Sequence, residues 1–376
     1  MIAMGNARDR LVLVGGGHAH LGVLADWVKH GSPAARCILL TPDRHTRYSG
    51  MIPGTAAGRY EPGDGLIDLK ALAGRAGCEL ILDRCLGIDP DLRILSTESG
   101  RTVGFDVCSI DTGGVERASA VLGEDPRIID VRPISTFLHR LGEWNRGRGN
   151  APQHVVVAGG GAGGVELVFA LRERFASQPN TVTLCAGSEG LLPGLSNRVR
   201  RLTRAELKRQ DIALIEEDLR IEGDAIQAGG KVLEHVVAII ASFGAAAPQW
   251  PGASGLAVDD EGFIAIDRHQ RSTSHPRIFA AGDVARRMDR EVPHSGVHAV
   301  HTGRILAHNL RVSMRGEGKL RSYTPRPASL YLISTGQGET IATYGPLAAQ
   351  GRWASWLKHR IDTRWVESFA KMGASV

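Results

Sequence analysis

Two glycine-rich turns carry the chemistry open to this chain. Gly159, Gly161 and Gly164 stand at the G-x-G-x-x-G spacing, with Gly160, Ala162 and Gly163 between them. Gly15 and Gly17 repeat the first half of that pattern and are followed by His18, Ala19 and His20. Glycine permits a tight turn and a close backbone approach to a diphosphate, while the N–H groups that open the next helix supply the donors. His20 stands where the third glycine belongs. That glycine mainly serves helix–strand packing, so a phosphate site survives its loss. A ribose-binding acid is expected about 20 residues further on, at the end of the second strand. The first unit offers only Thr41 or Asp43 there, and the second only Ser188 or Glu189, which leaves NADH and NADPH unresolved. Arg198, Arg200 and Arg201 read as a solvated helix face. His294, His298 and His301 invite a metal, but no carboxylate or cysteine completes a ligand set and none is expected.

The elements that must position these turns are two βαβ units. In the first, Leu11–Val14 reads as a buried strand and Leu21, Leu24 and Val28 as the apolar stripe of a helix ended near Gly31. Cys37 to Leu40 is the next strand. In the second, Val155–Val157 leads into the turn, Val168, Leu171 and Phe175 share a helix face, and a strand runs from Val182 to Leu184. Residues 78–112 alternate short apolar runs with turns and return at Val107–Ile110. Strands are also expected near Ile212–Ile215, Val236–Ile240, Leu330–Ile333 and Thr340–Tyr344, with a terminal helix from Arg352 to Met372.

Composition narrows the class. The 47 glycines among 376 residues exceed the usual share of roughly 7% and cluster in short runs, as backbone approaching ligands would. A net charge of +5 is spread along the chain without an aromatic-interleaved basic module, so no nucleic acid is expected. Cys37, Cys78, Cys85, Cys108 and Cys185 form no CxxC or CxxxxC pair and read as buried thiols of a cytoplasmic protein. The amino terminus shows no secretion signal, and no apolar run is long enough to span a membrane.

Further segments extend the pattern. Ala280-Ala-Gly282-Asp283-Val284 follows Arg277-Ile-Phe, Asp111-Thr112-Gly113-Gly114 follows the strand at 107–110, and Ser242-Phe-Gly244-Ala-Ala-Ala-Pro248 follows the strand at 236–240. With the two glycine turns and in this order, they resemble the FAD- and NAD-linked pyridine nucleotide-disulfide oxidoreductase superfamily. A narrower likeness is to type II NADH dehydrogenases, in particular the NADH-dehydrogenase-like domain fused ahead of selenide, water dikinase. It rests on Gly15–His20, Arg44-His-Thr-Arg-Tyr-Ser-Gly-Met-Ile-Pro-Gly54, Gly296-Val-His-Ala-Val-His301 and Gly345–Trp353. The short stretch after Trp353 leaves no room for that kinase, so a stand-alone version is expected.

The resemblance implies an α/β fold of two Rossmann-like three-layer domains. Residues 1–115 and 273–318 would bind FAD, 116–272 would bind NAD(P)H, and 319–376 would add strands and an amphipathic helix. It assigns FAD to Gly15, Gly17, His18, Ala19, Arg44, Thr112, Gly113, Gly282, Asp283 and Val297, and NADH or NADPH to Gly159, Gly161, Ala162, Gly163, Gly164 and Gly244. Glu166 resembles the family's Gly-Val-Glu glutamate facing nicotinamide and flavin; its alternative is an acid in the first helical turn complementing the dipole. His298 or His301 would donate a proton at the flavin or line the acceptor site. Arg44, His45, Tyr48 and Ser49 would meet FAD or the acceptor channel, or form a polar loop. Electrons would pass from NAD(P)H through flavin to a small acceptor, quinone-like or selenium-related. Gly296-Val297 and His301-Thr302-Gly303 depart from the Ala-Gln and Gln-Gly stretches near the quinone of type II enzymes, so the likeness does not carry quinone with it. The cysteines offer no dithiol beside the flavin. Alternatives are a flavin-bearing redox partner or sensor and an oxygen-using oxidase. Trp353, Leu357, Ile361, Trp365 and Phe369 recur along the terminal helix with basic flanks. Such a stripe would pack on its own chain, pair two copies or lie on a membrane surface; Asp362 and Glu367, interrupting the basic face, favour packing.

Overall fold

The structure, a computed structural model, describes residues 9–146, 153–176 and 180–374. Residues 1–8, on which much of the amino-terminal expectation rests, lie outside them. The first unit comprises β1 (Arg10–Val14), α1 (His18–His30), β2 (Arg36–Thr41), α2 (Leu69–Arg75), β3 (Cys78–Leu82) and β4 (Val107–Ile110). The second comprises β5 (Ile128–Asp130), β6 (His154–Ala158), α3 (Ala162–Arg174), β7 (Thr181–Cys185), α4 (Asn197–Arg209), β8 (Ala213–Ile215) and β9 (Val236–Ala241). Then follow β10 (Ile278–Ala280), α5 (Gly296–Arg315), β11 (Leu330–Ser334), β12 (Thr340–Tyr344), β13 (Leu347–Gly351) and α6 (Arg352–Gly373).

Two parallel five-stranded sheets result, ordered β10-β4-β1-β2-β3 and β5-β9-β6-β7-β8. Their central strands are continuous apolar runs because both faces are covered: Leu11–Val14, Leu39 and Val155–Val157 are almost wholly buried. This is the mixed α/β, Rossmann-like class expected from the sequence. Register decides where the turns emerge. Val14 pairs with Leu40 and Ile110, and Ile110 with Ala280, so Gly15, Asp111 and Gly282 leave one carboxyl edge. Ala158 pairs with Cys185 and Ala241, and Cys185 with Ile215, which does the same for Gly159, Ala186, Ser242 and Glu216. Ligands of open α/β sheets bind at such edges.

Several elements were not anticipated. α2 is N-capped by Asp68, whose carboxylate accepts from the Ala71 N–H at 3.0 Å, and α4 starts at the Ser196 cap. A helix at Ile134–Arg146 and the third strand of the terminal meander, β13, were missed as well. Both glycine-loop helices matched because their apolar faces are local signals; α1 stops at Gly31, φ 81°, while α3 ends at Arg174 with Phe175 as its C-cap.

The meander β11-β12-β13 buries Ile333, Ile341 and Ala348 in the core of the second unit. α6 then runs back to the first unit, where Phe369 joins its core and Gly373 meets Ala71 of α2. Its packed face is not the expected stripe. Ala354, Asp362 and Phe369 are buried and Trp365 half-buried, whereas Trp353, Trp356 and Ile361 are exposed. Asp362, read from sequence as interrupting the basic surface, points inward. Among the described residues no helix is long and apolar enough to cross a membrane.

Candidate active site

At the first turn a Cβ on Gly15 would run into the Asp111 carbonyl, and one on Gly17 or Gly282 into the Asp111 carboxylate. Three glycines from two segments thus close on Asp111, which is 2% exposed. Asp111 Oδ2 accepts from the His20 N–H at 2.9 Å, capping α1 from another strand. Burial pushes its pKa up to about 7 against the N–H groups of His20 and Ala19, with the Asp283 charge adding to the rise. His20 fills the third-glycine place by turning inward. Its Nδ1–H donates to the Gly15 carbonyl (2.7 Å), so Nε2 accepts from the Ser109 hydroxyl (2.9 Å). Burial lowers its pKa to about 4, and the ring is neutral. Close helix packing is met elsewhere, at the α1–α5 crossing, where a Cβ on Gly303 would stand 2.9 Å from Gly22 Cα.

The second turn differs in one respect. Gly159 (φ 125°) and Gly164 are tightly packed, and a Cβ on Gly163 would stand 3.4 Å from Ser242 Oγ, but a Cβ on Gly161 would meet open space. Ser242 occupies the place that Asp111 holds in the first unit, and the N-cap residue of α3 is Gly161, which has no side chain to cap it. Gly161 to Gly163 therefore present an open helix N-terminus to an anion. Gly113 (φ 73°) and Gly244 (φ 81°) turn the two matching segments, which meet where Val115 and Ala246 exchange N–H···O bonds of 2.9 and 3.1 Å. Thr112 is exposed beside this contact.

Between the turns lies a chain of polar and aromatic side chains. His18 stacks on Trp365 (centroids 5.5 Å), and Trp365 on Tyr48 (4.3 Å). The Tyr48 hydroxyl donates to Asp362 Oδ1 at 3.1 Å, and Lys358 Nζ lies 3.5 Å from both Asp362 and Glu166. Glu166 Oε1 also accepts the Ser334 N–H at 2.9 Å. Burial lowers His18 to about 4 despite the Asp283 carboxylate, and its Nε2 has no partner. Burial works against the Lys358 ammonium, but Glu166 and Asp362 outweigh it and hold its pKa above the ordinary value. Burial raises Asp362, with Lys358 opposing. Asp283 pairs with Arg132 at 2.8 Å.

The expected residues are only partly drawn together. Glu166 faces this cluster, but it is the fifth residue of α3, past the first turn, so its place reflects Lys358 rather than the helix dipole. His298 turns inward, its Nδ1 bonded to the Tyr323 hydroxyl at 2.8 Å, while His301 is exposed; the pair does not present one joint face. Val297 sits in the first turn of α5, where a Cβ on Gly296 would lie 3.4 Å from Ser49 Oγ. Arg44 lies three residues beyond β2, paired with Asp68 at 2.7 Å. Sequence reasoning missed Lys358, Asp362 and Trp365 as site residues. Their i, i+4 and i+7 spacing was visible, but their partners Glu166 and Tyr48 are far off in sequence. No group of three potential ligands for a metal occurs among the described residues.

The family model described as pyridine nucleotide-disulphide oxidoreductase matches residues 9–303. The chain belongs to this family. Among curated relatives, ferroptosis suppressor protein 1 of Xenopus laevis is 24% identical over 283 residues, covering 69% of this chain and 70% of that protein. Among solved structures, the sulfide:quinone oxidoreductase of Aquifex aeolicus superposes with a TM-score of 0.82 at 17% identity, over 97% of this chain and 92% of that one. The NDH2 of Plasmodium falciparum, solved with NADH, gives 0.80 at 13% identity over 97% and 98%. Despite the family's name, this oxidoreductase holds no redox disulfide: all five cysteines are free and buried. Cys37 and Cys78 are opposite each other across β2 and β3, yet burial pushes Cys37 up to about 11 and Cys78 further above its ordinary value.

Proposed function

We propose that this family member transfers electrons from a nicotinamide dinucleotide through FAD to a small acceptor of the quinone type. FAD, when bound, takes up a hydride and releases electrons singly or in pairs, so the protein's task is positioning and electrostatics. Gly15, Gly17, His18 and Ala19 would cradle its diphosphate, with Thr112, Gly113, Gly282 and Asp283 along the remainder. The glycine cradle and the unpartnered, buried His18 Nε2 fit such a group. Ala162 to Gly164 would hold the nicotinamide dinucleotide.

One observation carries the reading: Glu166, on the helix opened by the second turn, is joined through Lys358, Asp362 and Tyr48 to the aromatic stack over His18, on the helix opened by the first. Lys358, an ammonium held charged between two carboxylates, would set the electrostatics of this link. The stacked rings of Tyr48 and Trp365 form one wall against which an aromatic or quinone-like acceptor would pack. The likeness to a sulfide:quinone oxidoreductase supports that acceptor class.

Purified protein should be yellow and bleach anaerobically on addition of reduced nicotinamide, then recover colour when a short-chain quinone is added. Protein that stays colourless after reconstitution with FAD overturns the reading. Stoichiometric hydrogen peroxide without quinone turnover would replace the quinone with oxygen.

A further inference from the structure

We propose that Asp218 supplies, from the neighbouring strand, the ribose-binding carboxylate that the end of β7 lacks, and that the second turn therefore takes NADH in preference to NADPH. The inference rests on reading Gly159–Gly164 as the nicotinamide dinucleotide site.

A dinucleotide-binding βαβ unit places an acid at the end of its second strand to accept from the ribose hydroxyls. Here β7 ends at Cys185 and continues into Ala186, which is buried and has no polar atom to offer. β8 lies beside β7 with Ile215 opposite Cys185, so Glu216, Glu217 and Asp218 leave the same sheet edge as residues 186–189. Asp218 Oδ1 accepts from the Ser188 N–H at 2.9 Å and from the Ser188 hydroxyl at 3.2 Å. A Cβ on Gly187 would stand 3.2 Å from that oxygen, so the carboxylate lies directly against the turn. Asp218 is exposed, and an ionised carboxylate offers about four acceptor positions, so capacity remains for a diol.

A 2′-phosphate would meet this carboxylate head-on and needs cations to hold it. Two arginines of this region are engaged: Arg204 with both oxygens of Glu216 at 2.6 and 2.7 Å, Arg200 with Asn197 at 2.7 Å. The open cleft beside Asp218 sets Glu217, Asp218 and Glu222 against the single guanidinium of Arg220. Glu189 is exposed on the turn itself. The local field therefore opposes a dianion at the ribose.

Calorimetric titration of the flavin-loaded protein with ADP-ribose and with 2′-phospho-ADP-ribose tests this without turnover. ADP-ribose should bind about tenfold or more the tighter, the effect of one charged hydrogen bond gained against repulsion. D218N should weaken ADP-ribose and narrow the ratio, and D218R should reverse it. Equal or tighter binding of the 2′-phosphorylated compound by the natural protein, or an unchanged ratio in D218N with an unaltered melting curve, overturns the inference. Binding of neither compound overturns instead the assignment of the second turn on which it rests.

Discussion

Asp111 is a carboxyl group set where a dinucleotide turn ordinarily leaves room, and its burial has a pH signature. Its pKa rises from 3.8 to about 7 on folding, so folding favours the protonated acid. That contribution is complete below about 4 and is lost as pH climbs through 7. D111N, which cannot ionise, should therefore become more stable than the natural protein as pH rises across this window, by up to about 4 kcal/mol at pH 8. Urea midpoints of the flavin-free proteins at pH 5 and pH 8 measure the gap; a gap that does not widen with pH sinks the idea. His18 and His20 act oppositely. Their pKa values fall from 6.5 to about 4, so the stability of their neutral forms is present above 6.5 and lost as pH drops through 4. Lys358 makes a further prediction at this scale. K358M strands Glu166 and Asp362 without their cation and should cost about 3 kcal/mol, together with slower flavin reduction in stopped-flow traces. K358M/D362L should recover much of the stability, whereas recovery of reduction by that double variant would remove Lys358 from the proposed chemistry.

At the scale of elements, α1 and α5 cross at Gly22 and Gly303 with no room for a methyl group. G303A should push α1 outward, destabilise the fold by about 1–3 kcal/mol and loosen flavin retention, measured as the FAD recovered after gel filtration. Full retention would show that the N-terminus of α1 does not depend on the crossing. The same elements show how much was readable beforehand. β1, α1, β6 and α3 could be read because strand, glycine and apolar stripe are neighbours in sequence. α6 could not be oriented. Its tryptophans outrank Asp362 in any hydropathy pattern, yet Asp362 is buried because Lys358 and Tyr48 satisfy it, and Tyr48 lies more than 300 positions away. The Gly303 departure likewise gained its meaning only once Gly22 was seen opposite it, and the acid proposed in place of the one missing after β7 follows β8, a strand the dinucleotide pattern does not include.

For the whole molecule, α6 is the member shared by both units: it touches β12 of the meander, α2 of the first unit, and Glu166 of the second. Deleting residues 352–376 should break this tie. Thermal unfolding followed by fluorescence should then separate into two transitions, with flavin lost in the first; a single transition at the natural temperature would show that the helix is an ornament on a self-sufficient pair.

The wall formed by Tyr48 and Trp365 joins an early segment of the chain to a late one. On a ribosome, translation delivers both glycine turns well before the residues that cover the first of them. A nascent chain halted at Gly351 already has both glycine turns but lacks the Trp365 ring that stacks on His18. If the first turn holds the flavin, its firm capture waits for the helix at Arg352–Gly373 to be made and docked.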